Sequence, residues 1–192
     1  MTINEICATA YKNSVAAGWY HDPKTGQPLD RNKGEMLALM HSEISEAMEG
    51  AETGALDDHL PKRAMFEVEL ADLLIRAGDY AEHRGFNIEA TIADLKRVET
   101  NGLRARIFRN LCLLHAHVSG ALEGLRKDTD STAIQGRSAE EVAIARLFRD
   151  TIAFADMQGL DLFDAIDEKM EYNKHRADHK MENRAKDGGK AF

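Results

Sequence analysis

The chain repeats itself at an offset of 74 residues, and that repeat bounds the fold more tightly than any local pattern. Leu39–Gly50 falls on Leu113–Gly124 with six of 12 positions identical: Leu, His, Ser, Ala, Glu and Gly. At the same offset Glu67-Val68 meets Glu141-Val142, and Gly85-Phe86-Asn87-Ile88 meets Gly159-Leu160-Asp161-Leu162, with no net gap. A constant offset across two helical stretches and their loop predicts a duplicated unit. The two copies are expected to pack on one another as a pseudo-dimer.

Prolines stand only at 23, 28 and 61, and the stretches between are rich in Ala, Leu, Glu, Met and Arg. Their apolar residues recur at helical spacing. The pattern predicts helices over 2–18, 33–52, 63–84, 88–99, 102–126, 138–158 and 162–178, with turn-rich loops at 19–31 and 127–137. No segment alternates with period two for long enough to read as a strand. The expected fold is all-α, a helical bundle. It divides into a first half (1–100), a degenerate second half (101–178) and a basic C-terminal tail (179–192).

A chain of 192 residues can bury a sizeable core. Its net charge of −8 argues against a protein that coats duplex nucleic acid, which carries a basic stripe. No apolar run reaches ~18 residues, and the N-terminus lacks the basic-then-apolar layout of a signal peptide. No membrane partner is expected, and the cytoplasm, or a host's cytoplasm for a phage protein, is the expected compartment. Cys7 and Cys112 lack metal-ligand spacing and read as buried free thiols.

Glu43-Ile-Ser-Glu46 and Glu69-Leu-Ala-Asp72 each set two carboxylates three residues apart. Residues so spaced share a helix face, so antiparallel packing brings four carboxylates to one point. Like charges held together cannot all stay ionised without a neutralising cation. Oxygen-only donors suit Mg²⁺ or Mn²⁺, ions that commonly serve phosphates. In the second copy these positions read His117, Gly120, Ala143 and Arg146, so all four candidate ligands vanish while the apolar positions remain. Lys169, Asn173 and Arg176 show the reverse asymmetry, since their first-copy counterparts are Leu95, Glu99 and Gly102. One copy thus offers carboxylates for metal, the other donors for phosphate oxygens, with His179 and Lys180 following on the same tail.

Other positions divide between function and structure. Glu49 and Glu67 persist as Glu123 and Glu141, which favours structural roles. His41 persists as His115, which favours packing or hydrogen bonding, whereas Asp79 becomes Ala153 and is a candidate support for the ligands. Trp19 stands at a loop edge, where it either stacks on a base or anchors the core. Asn32 and Lys33 precede the metal helix and stand open to either reading, and the basic residues of 24–33 are candidates to close over phosphates. Ferritin-like di-iron bundles need Glu-x-x-His and zinc hydrolases need His or Cys ligands; the cluster has neither.

Arg31-Asn32-Lys33-Gly34-Glu35, the run Leu39–Glu49 and Glu67-Val-Glu-Leu-Ala-Asp72 together resemble the MazG-type all-α nucleoside triphosphate pyrophosphohydrolases. The segment Glu168–Arg184 with its Gly-Gly-Lys ending is similar to the tail of single-domain members. The resemblance spans about 30–99 and 138–192. It implies that Glu43, Glu46, Glu69 and Asp72 hold Mg²⁺ or Mn²⁺ and form the catalytic centre, releasing pyrophosphate from a nucleoside triphosphate. It implies substrate contacts from Lys169, Asn173, Arg176, His179, Lys180, Lys33 and Trp19. Relatives assemble as dimers or tetramers, so a homodimer is expected, although a fused pseudo-dimer needs less assembly. A deoxynucleotide such as dGTP is the favoured substrate, with dUTP or dCTP the alternative. A non-catalytic helical nucleotide-binding or scaffold protein is the competing class.

Overall fold

The structure, a computed structural model, describes residues 1–98, 103–104 and 106–190. Eight α-helices follow in order among these residues: α1 (Ile3–Ala16), α2 (Lys33–Thr53), α3 (Met65–His83), α4 (Ile88–Val98), α5 (Ile107–Lys127), α6 (Ala139–Gln158), α7 (Leu162–His175) and α8 (Met181–Arg184). A 3₁₀ turn, Ala177–His179, precedes α8. The described residues contain no strand beyond isolated bridges, so the all-α expectation holds.

Local chemistry starts and stops these helices. Thr2 and Glu5 form a capping box on α1. The Asn32 side chain accepts from the N–H groups of Gly34 and Glu35 to cap α2. Gly54 and Gly159 end α2 and α6 with φ of 67° and 68°, a conformation glycine adopts without steric cost.

The 74-residue offset reappears in the packing. The bounds of α5 are those of α2 moved by 74, and α6 and α7 begin 74 residues after α3 and α4. Helix α3 packs on α2 and α7, while α6 packs on α5 and α4. Glu67 Oε1 accepts the Asp161 N–H at 2.7 Å, and Glu141 Oε1 accepts the Asn87 N–H at 3.3 Å. Each glutamate also pairs with the arginine four residues before it, Arg63 or Arg137. On α2 and α5, His41 and His115 stack, with their Nδ1 atoms 2.7 Å apart. These contacts agree with structural readings of Glu67 and His41.

Buried side chains of α3 (Leu70, Leu73, Leu74, Ala77, Tyr80) and α6 (Ile144, Leu147, Phe148, Phe154) form the centre of one continuous core. Phe66 meets Phe154 edge-on, with ring centroids 5.7 Å apart. At the offset-related place the Tyr80 hydroxyl donates to Glu140, which also accepts two bonds from Arg84. An apolar pair on one side thus has a hydrogen-bonded polar group on the other.

Several boundaries differ from expectation. Helix α1 stops at Ala16 rather than 18, because Gly18 takes φ 80°. Helix α5 begins at Ile107 rather than 102, since the Asn110 side chain bonds both the N–H and the C=O of Arg104 and holds that residue outside the helix. Expected helix ends at 99 and 102 lie outside the described residues. Helix α7 stops at His175, and Arg176 is extended, so Arg176 does not share a helical face with Lys169 and Asn173. The tail through Lys190 is partly helical and turns back onto Trp19. Cys112 is exposed on the outer side of α5, against expectation, whereas Cys7 is buried and its thiol is pushed up to about 12 by that burial.

Gly50 and Gly124 mark where α2 and α5 come closest to the chain entering α3 and α6. A Cβ at Gly124 would stand 2.4 Å from the Glu140 nitrogen, and one at Gly50 2.6 Å from that of Phe66. The gain in helix propensity from Gly to Ala is at most ~1 kcal/mol, and overpacking costs about 1–3 kcal/mol. Gly124→Ala is therefore expected to lower the melting temperature; a rise would show that the approach is not tight.

Candidate metal centre

Helices α2 and α3 lie side by side and turn one carboxylate-bearing face of each toward the other. Glu43 from α2 and Glu69 and Asp72 from α3 place one carboxylate oxygen each within 4.8 Å of one another. Glu43 and Glu69 are buried and Asp72 is half-buried. Glu46, the fourth expected ligand, is exposed and outside this triad. Glu69 is pushed up to about 9, first by burial and then by the hydrogen bond and charge of Glu43. Burial also raises Asp72, opposed by the Lys169 ammonium. Glu46 is raised by burial and by Glu43.

Two cations border the triad. The Arg76 guanidinium donates to Glu43. Lys169 Nζ lies 3.1 Å from Asp72 and 3.7 Å from Asp57, with only 1 % of the residue exposed. A fully buried lysine is tolerable only when paired. Lys169 therefore reaches from α7 beneath the carboxylates instead of standing free for phosphate.

A cavity of ≈ 630 Å³ opens beside the triad and shares Asp72 and Arg76 with it. This volume lies within the ~300–1,000 Å³ usual for small-molecule pockets. Trp19, Asn173, Arg176, His179 and Lys180 all line it, so five expected substrate residues converge there. Lys33 does not line it and pairs instead with Asp30 at 2.6 Å. Arg176 pairs with Asp178 at 2.7 Å. Burial lowers His179 to about 4, which keeps its imidazole neutral near pH 7.

Two polar atoms in the cavity wall are buried without a partner: Asn13 Nδ2 and Asn173 Oδ1. Leaving such groups unpaired costs about 1–3 kcal/mol each, so both favour a ligand that bonds them. The Trp19 ring carries the Arg184 guanidinium 3.7 Å from its centroid, and Arg184 Nη1 donates to the Gly18 carbonyl. Asp79 accepts from Tyr20 and from Arg31, at 2.8 and 3.0 Å, so it shapes the cavity wall from outside the carboxylate cluster.

The sequence alone assigns no role to Asn13, Arg76 or Arg184. Arg76 follows Asp72 by four and Glu69 by seven, a spacing that sets it on the ligand face of α3. Asn13 reaches the cavity only through tertiary packing, and Arg184 meets its wall at the Trp19 ring. Compared with protein-family models, with curated proteins and with solved structures, the chain gives no match.

The donors suit a hard divalent ion: three carboxylates at close range, no sulfur or imidazole among them, and one held protonated by burial and by its acidic neighbours, both of which a cation would offset. Ligation requires the Glu69 carboxylate, which at pH 7 is protonated because its value lies near 9. Mn²⁺ binding should therefore expel a proton, and affinity should rise with pH up to about 9. Calorimetric titration in two buffers of different ionisation enthalpy measures the release. Binding without proton release would rule Glu69 out as a ligand.

Proposed function

We propose that the chain is a MazG-type nucleoside triphosphate pyrophosphohydrolase dependent on Mg²⁺ or Mn²⁺, and that its two offset halves are duplicated units packed as a pseudo-dimer. The observation that carries this reading is that Asp72 and Arg76 belong both to the carboxylate cluster and to the wall of the cavity. A ligand in that cavity would present its phosphates at the acidic edge. The reciprocal bonds of Glu67 to Asp161 and of Glu141 to Asn87 support the pseudo-dimer.

Glu43, Glu69 and Asp72 would hold a divalent cation, which would supply charge neutralisation for the phosphates and activation of the attacking water. Attack at the α-phosphorus releases pyrophosphate as one unit and leaves a monophosphate. Glu46, raised by burial and by Glu43, would accept the proton of that water. Arg76 exchanges its carboxylate for phosphate oxygens through its planar fork as negative charge builds, while the buried Lys169 offsets carboxylate charge from beneath. Arg176 turns from Asp178 to the same oxygens. Trp19 stacks on the base, and Asn13 and Asn173 bond the nucleoside through their unpaired atoms. The substrate is a deoxynucleoside triphosphate, dGTP in the first instance, with dUTP or dCTP as the alternative; a homodimer is the expected assembly.

A second reading has one observation in its favour: Arg76 and Lys169 already neutralise two of the carboxylates. On that reading the cluster is a structural ion-pair network in a non-catalytic binding protein. The readings separate in one experiment on Glu69→Gln, which mimics the protonated state and should leave the metal-free melting temperature nearly unchanged. Pyrophosphate release is measured across a panel of ribo- and deoxynucleoside triphosphates with Mg²⁺, Mn²⁺ or chelator. The enzyme reading expects metal-dependent release that falls by ~10²-fold or more in Glu69→Gln, consistent with loss of a transition-state electrostatic partner. Silence of the wild type across the whole panel would favour the second reading.

A further inference from the structure

Among the described residues helix α1 has no counterpart in the second half, and a groove lies where that counterpart would sit. In the first half the Ile3 N–H donates to Glu89, Asn4 bonds Asn87, and Cys7 and Ala10 lie over Gly78. Moved by 74, those three contact residues become Phe163, Asp161 and Ile152. All three line one groove of ≈ 810 Å³ between α4, α6 and the start of α7. Its floor and walls are apolar, with Ile92, Leu160 and Phe163 among them, and Phe163 is 37 % exposed.

The charge layout also matches a helix. At the end corresponding to the N-terminus of α1 stand the exposed carboxylates of Asp156 and Asp161. At the opposite end, corresponding to Met170 and Ile75 beside the C-terminal half of α1, stand Lys96, which is exposed, and Arg149, which pairs with Asp150 at 2.7 Å. Acid at a helix N-terminus and base at its C-terminus complement the helix dipole. One steric detail differs: Ile152 fills the space that Gly78 leaves for Cys7, whose Cα is 3.2 Å from a Cβ built at Gly78.

We propose that this groove is a docking seat for an amphipathic helix of another protein chain, lying in the direction that α1 takes on α3. Its apolar stripe covers Phe163 and Leu160, its N-terminus meets Asp156 and Asp161, and a small residue crosses Ile152. The seat rests on the proposed duplication and not on the pyrophosphohydrolase activity, so its failure would leave the enzyme reading standing.

The chain carries its own template for a probe. A fluorescently labelled peptide of residues 1–17 with Cys7→Gly is titrated with the full-length protein and followed by anisotropy. Saturable binding is expected, with a wild-type peptide binding more weakly. Ile152→Gly, which recreates the arrangement at Gly78, should reverse that order. Phe163→Glu, at an exposed position, should weaken binding by ~10-fold or more, as removal of an aromatic anchor does, and Asp161→Lys should weaken it further at low salt. No saturable binding up to ~1 mM, which corresponds to only about 4 kcal/mol, would overturn the proposal. So would equal affinity in wild type and Phe163→Glu.

Discussion

Three carboxylates held within 4.8 Å of one another by buried helices are the constraint around which the first half is arranged. Their repulsion is relieved in three ways at once. Glu69 keeps a proton, Arg76 pairs with Glu43, and Lys169 reaches across from α7 to Asp72. The last contact explains why α7 lies against α3: a lysine buried to 1 % exposure has no tolerable position except beside those acids. The cluster thus fixes how a helix from the second half docks on the first.

The same geometry carries different chemistry on the two sides of the 74-residue offset. Glu43 and Arg76 form an ion pair whose counterparts, His117 and Asp150, form a hydrogen-bonded pair with the acid on the other helix, at 2.9 Å. Arg63 bonds Glu168 as Arg137 approaches Asp94. Asp57 and Ser131 cap equivalent turns with a carboxylate and a hydroxyl. Packing positions keep their shape while polar positions change identity. Under the proposed duplication, this is how one half can retain a metal centre and the other serve as its wall.

Much of this was legible in the sequence because it depends on periodicity. Helical spacing located seven of the helices, and the i, i+3 carboxylates predicted the face that α2 and α3 share. Glu46 escaped the triad because spacing fixes a face and leaves the depth open; its residue stays exposed while Glu43 is buried. Lys169 looked like a free phosphate ligand because a polar residue on an amphipathic helix gives no sign of a buried partner 97 residues away. Arg176 was misplaced by helical phase, since nothing local marks His175 as the last helical residue. Asn13 in the cavity wall and Arg184 on the Trp19 ring come from opposite ends of the chain, and no local pattern foretells either position.

The most direct test of the account is a crystal structure of the protein soaked in Mn²⁺, with anomalous scattering measured at the manganese edge. The account predicts an anomalous peak enclosed by Glu43, Glu69 and Asp72, with Lys169 Nζ drawn away from its 3.1 Å contact to Asp72. A map without a peak there, and with the Lys169 and Arg76 pairs intact at saturating Mn²⁺, would contradict it and leave the cluster a structural ion-pair network.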